Sequence, residues 1–234
     1  MAHKIDNGAG GSRATWTGKP ERVGEPGGEP INRIFLLSPA YAGGERARMV
    51  MSQRAQFDLA RRLRKQGAPL AEVFTFLSGL YFRGKIAYAN VFARGGVFVI
   101  TPTRGLVDAQ TIIMVEDLRE FAKVDIDEDE PRYRKPLERD VRRLAKKLSS
   151  RDDVILLGSI ATGKYIDILL ENFRDRLRFP GDFVGRGDMS RGGLLLRCAA
   201  DRQELDYIAV AGAITKGKRP PKLEPRRYPK AWPS

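Results

Sequence analysis

Residues 153–165 read DVILLGSIATGKY, from Asp153 through Gly158 and Gly163 to Tyr165. The apolar run 154–157 does not alternate with polar residues, the pattern of a strand buried on both faces of a parallel sheet. Small residues follow from 158 to 162, and Gly163 and Lys164 begin a segment with helical spacing. A strand, a tight loop and a helix start in this order make an α/β unit. Such a junction leaves backbone N–H groups and the positive end of a helix dipole beside the carboxyl end of the strand, where anionic ligands bind.

From Gly158 to Lys164 the spacing matches the phosphate-binding loop GxxxxGK[ST], but Tyr165 stands where that loop carries its magnesium-ligating Ser or Thr. Three readings are open. One is a nucleoside triphosphatase; another is a degenerate phosphate-holding loop using Gly158, Ser159, Thr162, Gly163 and Lys164. The third is an ordinary strand-to-helix turn.

Upstream, 34–37 reads as a second buried strand, ending in Ser38-Pro39. A helix is expected over 45–66, because Ala47, Met51, Ala55, Leu59 and Leu63 recur at four-residue spacing. The segment 73–77 fits a strand or a short helix, 82–93 a helix, and 97–100 a strand. The polar residues Thr101, Thr103 and Arg104 follow that strand. Ligands of doubly wound sheets lie beyond the strand carboxyl ends, so Ser38, the Arg104 loop and the 159–164 loop are expected to converge on one cleft. Asp108, soon after Arg104, is the candidate acid/base group there, with Arg104 and Lys164 holding a phosphate.

The stretch Asp125-x-Asp127-x-Asp129 begins like a calcium loop but continues with Glu130 and Pro131 in place of the turn glycine, so a solvated acidic loop is expected and no metal is assigned. Amphipathic helices are expected over 137–149 and 165–177, the first with Arg139, Arg142, Arg143 and Lys146 facing away from its apolar stripe. Five glycines interleave with Arg186 and Arg191 between 179 and 193, suggesting a flexible loop that closes over phosphate, or a plain connection. Segments 194–198 and 205–211 read as an antiparallel hairpin, with Cys198 a buried small hydrophobe in its first arm. The expected fold class is α/β: a three-layer, mostly parallel sheet flanked by helices, closed by that C-terminal hairpin.

The 234 residues suit one such domain over 31–215, after a Gly/Pro-rich flexible leader over 1–30 and before a basic, Pro-rich tail over 216–234. The chain holds 42 Lys plus Arg against 29 Asp plus Glu, a formal charge of +13, which favours polyanionic or phosphorylated partners. One histidine, His3, lies in the leader, and Cys198 is the single cysteine. This composition disfavours Ser-His-Asp triads, Cys-His pairs, zinc sites and disulfide scaffolds. No apolar run reaches membrane-spanning length and no apolar signal region opens the chain, so a cytoplasmic protein without a membrane partner is expected. The tail cations Lys216, Lys218, Arg219, Lys222, Arg226, Arg227 and Lys230 oppose only Glu224. Interspersed with prolines, the first six are candidate nucleic-acid contacts.

Three further segments carry a resemblance: Leu36-Leu-Ser38-Pro39-Ala40, Leu80-Tyr-Phe-Arg-Gly84-Lys85 and Thr101-Pro-Thr-Arg104-Gly105-Leu-Val107. Together they resemble the YaaA-like proteins and their small uncharacterised relatives, over roughly residues 31 to 190. The resemblance implies an α/β protein associated with DNA binding or with nucleotide and base metabolism. Lys216-Gly217-Lys218-Arg219-Pro220 is similar to the AT-hook core Arg-Gly-Arg-Pro, with one extra residue and lysine leading. The sequence thus points to a protein of DNA or RNA with a phosphate-binding cleft, acting on a nucleotide or base or only binding it. The alternative is a small-molecule nucleotide or nucleoside transferase or hydrolase, whose tail is incidental.

Overall fold

The computed structural model describes residues 32–161, 163–214 and 217–225. The leader, Thr162, Lys216, Arg226 and Arg227 lie outside the described residues. Strand β1 (Arg33–Leu37) leads through α1 (Glu45–Met51), α2 (Asp58–Lys65), β2 (Ala68–Pro69), α3 (Leu70–Ser78) and α4 (Leu80–Phe92) to β3 (Val97–Thr101). There follow β4 (Gly105–Asp108), β5 (Ile112–Ile113), α5 (Val115–Phe121), α6 (Pro131–Lys147) and β6 (Asp153–Leu157). The chain then forms α7 (Gly163–Phe173), β7 (Leu177–Pro180), α8 (Asp188–Asp201) and β8 (Tyr207–Ala209).

The main sheet runs β4-β3-β1-β6-β7-β8, with β2 and β5 forming a small pair apart. Its four central strands are parallel, with Phe35 opposite Val97 on one side and Ile155 on the other. Both edges are antiparallel. RIFLL and DVILL lie at the centre because every apolar residue in them is buried, as expected where helices cover both faces. Helix α4 packs on α8 and β1, while α6 packs on α7, β3 and β4, which completes the expected helix–sheet–helix layering.

Four local expectations are corrected or, for 73–77, resolved to one of the two readings. The single helix over 45–66 is two, broken at Ser52, whose extended backbone turns the chain away. Arg64 from α2 donates to the freed carbonyls of Ser52 (2.8 Å) and Ala55 (2.6 Å), so the break is satisfied by a side chain. The ambiguous 73–77 segment is helical, within α3. The polar loop after β3 is a tight turn into antiparallel β4. Gly105 adopts φ +66°, and a side chain there would strike the Pro136 carbonyl and Asp140 of α6.

The fourth correction concerns the C-terminal antiparallel pair, whose arms are β7 and β8, with helix α8 between them. Residues 194–198, including buried Cys198, belong to α8. One glycine of the expected flexible loop, Gly192, has a packing role within α8 instead. A Cβ on Gly84 of α4 would lie 2.6 Å from the Gly192 carbonyl of α8, and one on Gly192 would lie 2.8 Å from the Leu80 carbonyl, so the two helix backbones touch. Among the described residues no helix is long and apolar enough to cross a membrane.

Candidate functional site: a crevice at the switch point

From β1 the chain moves to β3 on one side, then returns to β6 on the other, so β1 and β6 flank the point where the strand order reverses. Crevices in open α/β sheets form there. Ser38 ends β1, its N–H donating to the Leu157 carbonyl at 3.1 Å. A Cβ on neighbouring Gly158 would sit 2.8 Å from both the Ser38 Cβ and the Tyr165 hydroxyl, so glycine is what lets these three meet.

Two cavities open above this edge. One, of about 390 Å³, is lined by Ser38, Arg46, Tyr81, Lys85 and Asp188 among others; the second, of about 530 Å³, includes Asp125, Asp127, Lys164 and Tyr165. They share Ser38, Pro39 and Tyr41, and the Tyr41 ring is 69% exposed.

Lys85 is the unusual residue of the first cavity. It is 1% exposed and donates to the Ser38 carbonyl at 2.7 Å and to Ser38 Oγ at 2.8 Å. Its ammonium lies 4.5 Å from the centre of the Tyr81 ring and 4.8 Å from that of Phe82. Burial pushes its pKa down to about 7, and the Asp188 carboxylate only partly offsets that desolvation. Tyr81 is also buried, and among the described residues its hydroxyl finds no hydrogen-bond acceptor. Arg191, whose Nε and Nη2 donate to the Phe183 carbonyl, is also near enough to act on the Tyr81 hydroxyl through charge and as a side-chain hydrogen-bond donor. Desolvation raises the Tyr81 phenol above its ordinary range.

The residues singled out from sequence divide sharply. Ser38 and Lys164 line one cavity and Gly158 lies against Ser38, while Ser159, next in the loop, lines neither cavity and is held by Tyr165. Gly163 is at the start of α7, where an added Cβ would clash with the Glu128 carboxylate. Tyr165, at the Ser/Thr position of the phosphate-loop pattern, is buried and donates to the Ser159 carbonyl at 2.9 Å, closing the loop on itself. Burial raises its pKa to about 12.

Arg104 is not directed at a phosphate. Its Nη2 pairs with Asp117 (2.5 Å) and Glu120 (2.6 Å) of α5, and the guanidinium lies over Phe121, which pins the β3–β4 turn to that helix. Asp108 lies at the opposite sheet edge, because β4 runs antiparallel and sets it across from Phe98; it is exposed and accepts from the Gln110 N–H at 2.8 Å. Arg186 is tied to the Asp182 carbonyl and Ser190, and Arg191 to Phe183, so both brace the entry to α8. Asp125, Asp127, Glu128 and Asp129 are exposed, and among the described residues no cluster of three or more His, Cys, Asp or Glu could hold a metal ion.

Sequence reasoning missed Tyr41, Arg46, Tyr81, Lys85 and Asp188. A signal existed for one of them: Tyr81, Lys85 and Ala89 are four residues apart, which places a lysine in the buried stripe of its helix.

The described part of the tail is docked. Gly217 and the Lys218 carbonyl pack against Val184 and Gly185, Leu223 approaches Gly193, and Arg197 of α8 donates to the Glu224 carbonyl. Lys218, Arg219 and Lys222 remain exposed along this strap. Gly185, which the strap touches, is three residues before Asp188 of the first cavity, about 10 Å of extended chain at most.

Fold and site together define a doubly wound α/β protein with a crevice at its switch point. No family model, curated protein or solved structure matches the chain.

Proposed function

We propose that the chain is a nucleic-acid-associated protein whose switch-point crevice takes one nucleotide unit, with the strap cations holding flanking phosphates. The observation that carries this reading is Tyr41, an exposed ring shared by both cavities, with Arg46 lining one and Lys164 the other. An exposed aromatic flanked by cations suits a base stacked on the ring with its phosphates to either side. The formal charge of +13 and the exposed Lys218, Arg219 and Lys222 support a polymeric partner. The YaaA-like resemblance agrees with it, since two of its three segments furnish Ser38, Pro39, Ala40, Tyr81 and Lys85 to the first cavity.

The test is a salt series of binding to DNA, RNA and single nucleotides. Tyr41→Ala should weaken nucleotide binding by about 1–3 kcal/mol without altering stability. Replacing Lys218, Arg219 and Lys222 together by Gln should lower the salt slope on duplex DNA by about 2–3 and leave single-nucleotide affinity unchanged. The second reading, a small-molecule nucleotide or nucleoside enzyme, is favoured by the crevice drawing Ser38, Tyr81 and Lys85 from the domain itself. It takes over if nucleotides bind and polynucleotides do not.

A further inference from the structure

We propose that Ser38 and Lys85 form a nucleophile–base pair, with the Tyr81 hydroxyl as oxyanion donor, and that the first cavity cleaves acyl esters. This goes beyond nucleotide binding and does not depend on it. Three independent observations meet in that cavity. Ser38 Oγ and Lys85 Nζ are 2.8 Å apart, within the reach that a serine nucleophile and its base require. Lys85 is oriented by a third group, the Ser38 carbonyl at 2.7 Å, and confined between the Tyr81 and Phe82 rings. Tyr81 supplies a buried hydroxyl whose proton no described group accepts, since neighbouring Arg191 can only donate to it, on a residue lining the same cavity. Leaving a buried donor unpaired costs about 1–3 kcal/mol, which a bound ligand oxygen recovers.

The charges that act on Lys85 come from α8, Asp188 favouring the ammonium and Arg191 opposing it, while Glu45 and Arg46 of α1 line the same cavity. Both α8 charges are outweighed by burial, so near neutral pH a large share of Lys85 carries a free lone pair. In the ammonium form Nζ donates to both Ser38 oxygens. In the neutral form it still donates to the carbonyl, while its lone pair accepts the Oγ–H.

The reaction balances with water as the only co-reactant. The Ser38 proton passes to Nζ as Oγ bonds to the ester carbonyl carbon, and the oxyanion accepts from Tyr81. The bond to the alcohol oxygen then breaks, and the leaving alkoxide takes the proton from Lys85. Water adds to the acyl–Ser38 ester, losing a proton to Lys85. That proton returns to Oγ as the carboxylic acid departs. Serine with a lysine base is an established variant of the serine triad and needs no histidine.

The test uses the full chain and a fluorophosphonate probe, which phosphonylates an activated serine with loss of fluoride, read by intact mass and peptide mapping. A nitrophenyl ester serves as turnover substrate. The adduct should map to Ser38 and be absent in Ser38→Ala. The rate should rise about tenfold from roughly pH 6 to pH 8, as Lys85 loses its proton. Lys85→Met should slow labelling by about 100-fold or more, and Tyr81→Phe by a similar factor. If Lys85→Met does not fold, the pH profile of the natural chain and the Ser38→Ala comparison decide alone. Folded protein that gains no adduct at Ser38 overnight at alkaline pH, or labels with no pH dependence, overturns the proposal and leaves Lys85 as a structural donor at the end of β1. Nucleotide binding by the same preparation is read separately, so the two proposals fail independently.

Discussion

Two loops begin alike in this molecule and end differently. Thr101-Pro-Thr-Arg104-Gly105 and Gly158-Ser-Ile-Ala-Thr each follow a buried apolar strand, and each carries polar residues to the same sheet edge. After β6 the chain crosses over through α7 to a parallel strand, and space remains above the edge. After β3 it reverses within four residues, and Arg104 is consumed by Asp117 and Glu120. A polar loop at a strand end therefore becomes a site when the next element crosses over, and a brace when the chain doubles back. The contrast extends to charge. The brace pairs its cation with two carboxylates, whereas the crevice holds a buried lysine whose hydrogen-bond partners are both neutral oxygens of Ser38.

The largest effect is expected from breaking the wall of the crevice. Gly192→Val would force α8 away from α4, with its Cβ 2.8 Å from the Tyr81 Cα. We expect a loss of about 3 kcal/mol and a melting temperature lower by roughly 10 °C. Chemical and thermal denaturation measure both, and an unchanged Tm would mean the helices are less tightly joined than described.

Next comes the pH dependence that the buried lysine imposes. Its pKa is lowered on folding, so between the folded and unfolded values the unfolded state binds the extra proton and stability rises with pH. From about pH 7 to about pH 9 the natural chain should gain about 2 kcal/mol relative to Lys85→Met, read as the difference between two denaturation series. Equal slopes would remove the neutral lysine on which the nucleophile–base pair depends.

The smallest effect belongs to the brace. Arg104→Gln should cost about 1 kcal/mol, because these ion pairs are partly exposed. Arg104 holds the Glu120 carboxyl below the usual carboxylate range. That contribution is present above the unfolded carboxylate pKa and is lost as pH falls through the folded one, so the variant should show a shallower acid limb. Nucleotide affinity should not change. A loss of binding in Arg104→Gln would return the turn to the site.

The legible parts of the fold were those in which local pattern and tertiary role coincide. The runs at 34–37, 97–100 and 154–157 lack polar alternation because they lie between helix layers, and Ser38, Gly158, Ser159 and Lys164 follow from their carboxyl ends. The exceptions are tertiary. Gly192-Gly193-Leu-Leu-Leu resembles a strand after a loop, and it is helical because Gly192 buys close approach to α4. The reversal at Gly105 is selected by the close approach of α6, and the break at Ser52 is completed by an arginine twelve positions away. Lys85 escaped notice because a charge normally marks the wet side of a helix.

The meeting of Gly84 and Gly192 also has a mechanical meaning. With backbone against backbone there is no layer of side chains on which α4 and α8 could slide. Tyr81 and Lys85 on one helix, and Asp188 and Arg191 on the other, therefore keep a fixed bearing, like jaws cast in one piece. The exposed Tyr41 ring, on the segment between Ser38 and Gly44, stands outside that joint.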